Sequence, residues 1–326
     1  MHKIEFGYQD GQRVRLSILA EKHYESIVKP KRANTVTPSK ALDKIDNPND
    51  HERQLIKEIK DNLRDLILCP PKNLTKVIKE WGDVSDKAKY SHGFSEKITK
   101  ALRYDSFRTG RRGYEFFQSL GLKACPYCNA QFIIGLSKSK KAHAHFDHIY
   151  PKSKYPYLSI SFFNLIPCCG NCNQLKSNED HSHSKLFLSP YNDSLSDRFS
   201  FRPKLSAIMK YTIGEEIHAE TMVEIKENEI GDQQIVDVHK KQFYLDDLYN
   251  THSDIVREIY LRTLMFNQSR IIELEELFVG DDKIFKTIEE LKSVVHGNYL
   301  GQSQINMRPL AKLTQDLVEQ FNQLRE

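Results

Sequence analysis

From His51 to Leu68 the apolar positions Leu55, Ile56, Ile59, Leu63, Leu66 and Ile67 recur at three- and four-residue spacing, and Pro70-Pro71 stops the run. That period predicts one amphipathic helix with a buried face, because residues three and four apart stack on the same side of a helix. Shorter helices are predicted over 74–81 and 96–102. Near the end of the chain Leu310, Leu313, Leu317, Phe321 and Leu324 form another stripe, and Ile255, Ile259, Arg262 and Phe266 share a potential face. Such stripes serve core or partner-helix contacts far more often than ligands. Alternation replaces the helical period at Met222-Val-Glu-Ile225 and predicts one or two strands between 201 and 249, while Ile4-Glu-Phe predicts an edge strand. The basic stretch Lys29-Pro-Lys-Arg-Ala-Asn-Thr reads as a flexible arm or loop.

With 326 residues, 39% of them apolar and 28% charged, the chain suits one large or two modest globular domains. Apolar runs such as Leu66-Ile-Leu-Cys69 fall far short of the roughly 20 residues that span a bilayer, and the charged start lacks a signal-peptide core. A cytoplasmic protein without a membrane partner is expected. No internal repeat, phosphate-binding loop or dinucleotide fingerprint is visible, so the chain is expected to carry no nucleotide hydrolase of its own. Charge is uneven. Residues 96–185 hold 14 Lys and Arg against 6 Asp and Glu, whereas residues 186–326 hold 16 against 24. The basic excess is expected where a polyphosphate backbone must be held, although charge runs are also common on merely solvated faces.

Six cysteines in an apparently cytosolic chain favour metal ligation over disulfides. Cys125-Pro-Tyr-Cys128 and Cys169-Gly-Asn-Cys172 are two tight pairs, each able to place two sulfurs on one tetrahedral zinc. Cys69, before two prolines, reads as a small buried hydrophobe at a helix end. Cys168 abuts the second pair, but only Cys169 makes the two-residue spacing with Cys172. Between the pairs lie His145-Phe-Asp147-His148-Ile-Tyr-Pro-Lys and Asn164-Leu165, and the second pair continues as Asn173-Gln-Leu-Lys176.

Residues 123–180 resemble the HNH, or ββα-metal, endonucleases, in the branch whose motif sits inside a four-cysteine zinc site. In that family an Asp-His pair ends the first strand, an Asn-Leu sits in the return, and a Cys-x-x-Cys-Asn-x-x-Lys turn opens the helix. The chain departs in lacking the Gly-Gly that many members carry after the Pro-x-Ser; it reads Pro151-Lys-Ser-Lys-Tyr-Pro-Tyr. The resemblance implies an α+β protein, mainly helical, around a central ββα-metal module. The implied division is a helical region over 1–120, the nuclease module with its zinc site over 121–185, and a mostly helical region over 186–326 open to partner docking.

The same resemblance implies roles. His148 is expected to be the general base, an imidazole of ordinary pKa half-available at cellular pH. Asp147 and Asn173 are expected to hold one catalytic divalent cation, Mg²⁺ with Mn²⁺ as a substitute, and Asn164 to brace the loop and aim His148. Strict strand alternation would set His143, His145 and Asp147 on one face and His148 on the other, so the strand must end or bulge here. His145 is either a further metal or phosphate contact or a plain polar strand residue; His181 and His183 read as a polar loop more than as ligands. Lys152, Lys154 and Lys176 border the segment as candidate DNA-backbone contacts. Arg108, Arg111 and Arg112, interleaved with Tyr114, Phe116 and Phe117, form either a phosphate-binding turn or an exposed basic loop beside core aromatics.

More narrowly, Cys-Pro-Tyr-Cys-Asn, Asp-His-Ile-Tyr-Pro-Lys-Ser-Lys and Asn-Leu-Ile-Pro-Cys-Cys-Gly-Asn-Cys-Asn resemble the HNH nuclease subunit of Septu-type bacterial anti-phage systems, which implies an ABC-type ATPase partner. Two other readings stand beside it. One is a restriction-type HNH nuclease acting alone; the other is a zinc-knuckle module that holds nucleic acid without cutting it, for which the set Asp147, His148, Asn164 and Asn173 is not needed.

Overall fold

The structure is a computed structural model and describes residues 2–29, 36–214 and 222–324. It is helix-rich, with four antiparallel two-stranded sheets among the described residues, an α+β protein as expected. Beyond Lys29, the arm expected at 29–35 lies outside the described residues. Contacts divide the chain into two compact units, Lys3–Leu122 with Ile133–Asp193, and Met1–His2 with Lys123–Phe132 and Ser194–Glu326.

The first unit opens with the hairpin β1 (Phe6–Gln9) and β2 (Gln12–Arg15), then α1 (Leu16–Val28) and α2 (Pro38–Leu42). The strand thus starts two residues later than the sequence suggests. The helix expected over 51–68 is broken in two, α3 (Asp50–Asp61) and α4 (Leu63–Leu68), at Asn62. The Asn62 side chain donates to the Glu58 carbonyl at 2.9 Å, the competition with the helix ladder that disfavours Asn inside helices. Next come α5 (Pro71–Trp81), α6 (Phe94–Ala101), α7 (Tyr104–Thr109) and α8 (Arg111–Leu120). Cys69 is buried at the end of α4, and burial, aided by Asp65, raises its thiol to about 11, so it stays protonated.

A short hairpin, β3 (Gly135–Leu136) and β4 (Lys141–Ala142), leads into β5 (His145–His148), which pairs with β6 (Leu165–Cys168) before α9 (Gly170–Lys176). Asp147 lies opposite Ile166 and His148 opposite Leu165. This ββα unit is seated on an aromatic core. Phe146 meets Phe107 and Phe116 at ring-centroid distances of 5.4 and 5.7 Å, and His23 is packed among Phe107, Phe116 and Phe162. Gly113 allows the close approach of α7 and α8, since a Cβ there would stand 2.6 Å from the Phe107 carbonyl oxygen. Tyr114, Phe116 and Phe117 are therefore core residues on α8.

In the second unit β7 (Phe199–Pro203) pairs with β8 (Val223–Glu227), joined through α10 (Leu205–Thr212) and followed by α11 (Gln233–Phe243), α12 (Leu245–Asn250), α13 (Ser253–Met265), α14 (Gln268–Phe278), α15 (Ile288–Val295) and α16 (Ala311–Gln323). Of the expected C-terminal stripe, Leu313, Leu317 and Phe321 lie buried on α16, Leu310 is buried just before it and Leu324 just after it is exposed; Asp316 accepts from the Phe201 amide at 2.9 Å while pairing with Lys312 at 2.7 Å. On α13 the buried residues are Val256, Ile259 and Thr263, so the face is rotated from the expected Ile255, Ile259, Arg262 and Phe266. The first cysteine pair belongs to this unit. The Asn129 carboxamide donates to the Ile305 carbonyl at 2.6 Å, and Tyr249 donates to the Cys128 carbonyl.

Candidate active site and metal centre

The cysteine pairs are built by local backbone. Asn129, with φ of +55°, returns its amide to the Cys125 carbonyl at 2.8 Å, and the Ala130 amide donates to Cys128 Sγ at 3.4 Å. Cys169 caps α9, its sulfur accepting from the Cys172 amide at 3.4 Å. Sγ atoms of Cys125, Cys128, Cys169 and Cys172 all lie within 4.8 Å of one another, and all four residues are buried. A tetrahedral zinc with bonds of about 2.3 Å sets its sulfurs slightly under 4 Å apart, so the donor set fits that ion. Among the described residues this is the one such His, Cys, Asp or Glu group; His181, stacked on Phe187 at 4.1 Å, and His183 are outside it.

A cleft of about 800 Å³ opens over the end of β5 and the start of α9. Asp147, His148, His145 and Phe146 from β5 border it, with Gly170, Asn171, Asn173 and Gln174 from α9, Tyr104, Asp105 and Arg108 from α7, and Lys152 from the loop. Asp147 and His148 both border the cleft although their pairing with β6 shows no bulge; the Ile149 amide still donates to the Asn164 carbonyl at 3.1 Å, and the Tyr150 amide turns to the Asn164 side chain at 2.9 Å.

His148 is only 7% exposed. Its Nε2 lies 2.9 Å from the Ser159 carbonyl oxygen, an acceptor only, so Nε2 carries the hydrogen and Nδ1 keeps its lone pair. The ring packs against Tyr104 at 4.7 Å, and the Tyr104 hydroxyl donates to the Phe146 carbonyl. Burial pushes the imidazole down to about 3, opposed by the Ser159 bond and assisted by the charges of Lys152 and Lys176. The ring is thus neutral throughout the physiological range, and the half-protonated imidazole expected from the sequence is corrected: desolvation removes the proton.

Asn164, fully buried, lies behind the cleft instead of lining it. Its Oδ1 accepts from the Tyr150 amide and its Nδ2 donates to the Tyr150 and Leu158 carbonyls, each at 3.1 Å. Asn173 is half-buried at the cleft and its carboxamide makes no hydrogen bond among the described residues.

The basic residues disperse. Arg108 and Lys152 border the cleft, neither in an ion pair among the described residues. Lys154 is tied to Asp180 at 3.0 Å, and Arg111 to Glu115 at 2.7 Å on the surface of α8. Arg112 lines a separate cavity with His23 and Tyr8. Lys176 corrects the expectation of a backbone contact. It is 0% exposed, its Nζ donating to the His148 carbonyl at 2.7 Å and standing 3.3 Å from both Asp147 oxygens. Sequence reasoning also missed Tyr104 and the Ser159 carbonyl, which come to His148 from 44 and 11 residues away with no local signal.

Residues 125–179 match the family model described as HNH endonuclease. The segment is an HNH endonuclease domain, with four cysteines positioned to hold a metal. Domains of this family are nucleases that use divalent metals, which implies a DNA substrate. Searches of curated proteins and of solved structures return no match for the chain. No helix among the described residues is long and apolar enough to cross a membrane.

Proposed function

We propose that this chain is a metal-dependent endonuclease that hydrolyses DNA phosphodiester bonds, with His148 as general base through Nδ1. The observation that carries the reading is the position of the His148 ring, its Nε2 on the Ser159 carbonyl and its face on Tyr104, at the cleft that Asp147 and Asn173 also border. Nδ1 takes a proton from water, the water oxygen bonds to phosphorus, and the bond from phosphorus to the departing sugar oxygen breaks, that oxygen gaining a proton from solvent. Asp147 and Asn173 would hold a divalent cation, Mg²⁺ or Mn²⁺, which would supply charge neutralisation for the phosphate. Arg108 and Lys152, both at the cleft, steady the backbone without reading bases. Asn164 braces the loop from Tyr150 to Leu158, and so the Ser159 carbonyl that aims His148. Zinc on the four cysteines serves the platform and takes no part in cutting. Incubating the purified protein with supercoiled plasmid and Mg²⁺, with and without a chelator, tests the reading; binding without nicking would leave the zinc-knuckle alternative.

The narrower proposal is a cytoplasmic anti-phage nuclease effector that works with an ABC-type ATPase. Two features support it: the sequence strings that resemble those of Septu-type nucleases, and the exposed apolar side chains Met265, Leu277 and Ile284 within the acidic region 186–326. Co-purification with an ATPase encoded beside it tests this, and cleavage of a defined site by the protein alone would favour the restriction-type reading.

A further inference from the structure

We infer that the buried Lys176 makes cation uptake at the cleft depend on the substrate's phosphate. The inference rests on the reading of Asp147 as the cation ligand and extends it to the order in which the site is filled. Lys176 is fully enclosed, its ammonium fixed by the His148 carbonyl at 2.7 Å and held 3.3 Å from each Asp147 oxygen. The stem enters from the last turn of α9, so one short helix carries both the cleft-lining Asn173 and the cation that pairs with Asp147.

The charges around the cleft decide the consequence. The carboxylates are Asp105 and Asp147; the cations are Arg108 and Lys152 on the walls and Lys176 beneath Asp147. Cations therefore outnumber anions, and Asn173 adds an oxygen without a charge. A hard divalent ion is held by carboxylates or by the phosphate it serves, and here its single buried carboxylate already faces an ammonium that cannot move into water. A phosphodiester entering between Arg108 and Lys152 brings the missing negative charge and further oxygen ligands. Binding couplings are reciprocal, so DNA should tighten the cation as much as the cation tightens DNA. The free protein would then hold its base ready and its catalytic ion only loosely.

The experiment is Mn²⁺ binding to the zinc-loaded full chain, followed by loss of the free-ion electron paramagnetic resonance signal, with and without a phosphorothioate duplex that resists cleavage. Wild type should bind Mn²⁺ at least about tenfold more tightly with the duplex. Lys176→Met keeps the length of the side chain without its charge. It should bind Mn²⁺ at least about tenfold more tightly than wild type in the absence of DNA, since one unit charge a few ångströms away outweighs a decade in binding. It should also show a smaller gain on adding duplex. Equal wild-type affinity with and without duplex overturns the inference, as does a Lys176→Met protein that binds Mn²⁺ no better than wild type. If Lys176→Met does not fold, the wild-type pair of measurements decides. Asp147→Asn separates the two layers: unchanged Mn²⁺ binding there removes Asp147 as a ligand, whereas lost binding beside an unmoved Lys176→Met removes only the role given to Lys176.

Discussion

Replacing Asn164 with alanine removes a buried clamp without touching the cleft. The side chain makes one hydrogen bond from the Tyr150 amide and two to the Tyr150 and Leu158 carbonyls, all within 3.1 Å. Each such bond contributes about 0.5–1.5 kcal/mol net, and a buried partner left unpaired costs about 1–3 kcal/mol. Some of the three backbone groups will find water once the side chain is gone, so a loss of roughly 2–4 kcal/mol is expected for the unit that carries β5. That corresponds to a fall in Tm of about 5–15 °C. The effect on rate comes separately, because the loop that Asn164 ties ends at the Ser159 carbonyl on which His148 Nε2 rests. A displacement of about 1 Å at a reacting group can cost on the order of 10²-fold. Single-turnover cleavage well below the Tm of the variant should therefore fall about 10- to 100-fold with DNA affinity unchanged. Asn164→Asp should be at least as damaging, since it turns a donor facing two carbonyls into a carboxylate oxygen. An Asn164→Ala protein that melts and cuts like wild type would refute the clamp.

Changing any one of Cys125, Cys128, Cys169 or Cys172 to serine should lower zinc from about one per chain and give protease-sensitive protein, while Cys69→Ser and Cys168→Ser should keep the metal; elemental analysis and limited proteolysis read both. Arg108→Ala and Lys152→Ala should weaken DNA binding and each lower the slope of log affinity against log salt by about one, with Arg111→Ala nearly silent; fluorescence anisotropy at several salt concentrations checks this. Burial works against the charge of Asp180, but the Ser182 amide, Lys154 and the Ser182 and Tyr155 hydroxyls overrule it and leave the carboxyl lowered to about 2. A depressed pKa stabilises the fold above the unfolded value near 4 and loses that effect as pH falls through 2, so the stability gap between wild type and Asp180→Asn should be full at neutral pH and close between pH 4 and 2 in denaturant titrations.

What the sequence made legible was whatever short spacing encodes. Both cysteine pairs, the Asp147-His148 step and the stripe that becomes α16 are patterns within a few residues, and the structure brings the four sulfurs together as the spacing suggested. What it hid depends on distant partners. Lys176 reads as one more basic residue after a knuckle, and only the closure of α9 onto β5 turns it into a buried counter-ion. The shift of His148 comes first from burial, and the Tyr104 ring packed against it arrives from 44 residues away, which no window around position 148 contains. Arg108, Arg111 and Arg112 looked like one group, yet the turn at Gly110 sends them to the cleft, to a surface ion pair and to another cavity.

The central claim is that a neutral His148 activates water at a divalent-metal nuclease site. Single-turnover cleavage of plasmid DNA by wild type and His148→Ala, each checked for fold by circular dichroism and for DNA affinity, tests it most directly. Wild-type protein should cut with Mg²⁺ and stop when the ion is chelated, and His148→Ala should bind DNA normally but cut about 10²–10⁴-fold more slowly. Cleavage by His148→Ala at the wild-type rate, or wild-type cleavage that persists after chelation, would contradict it.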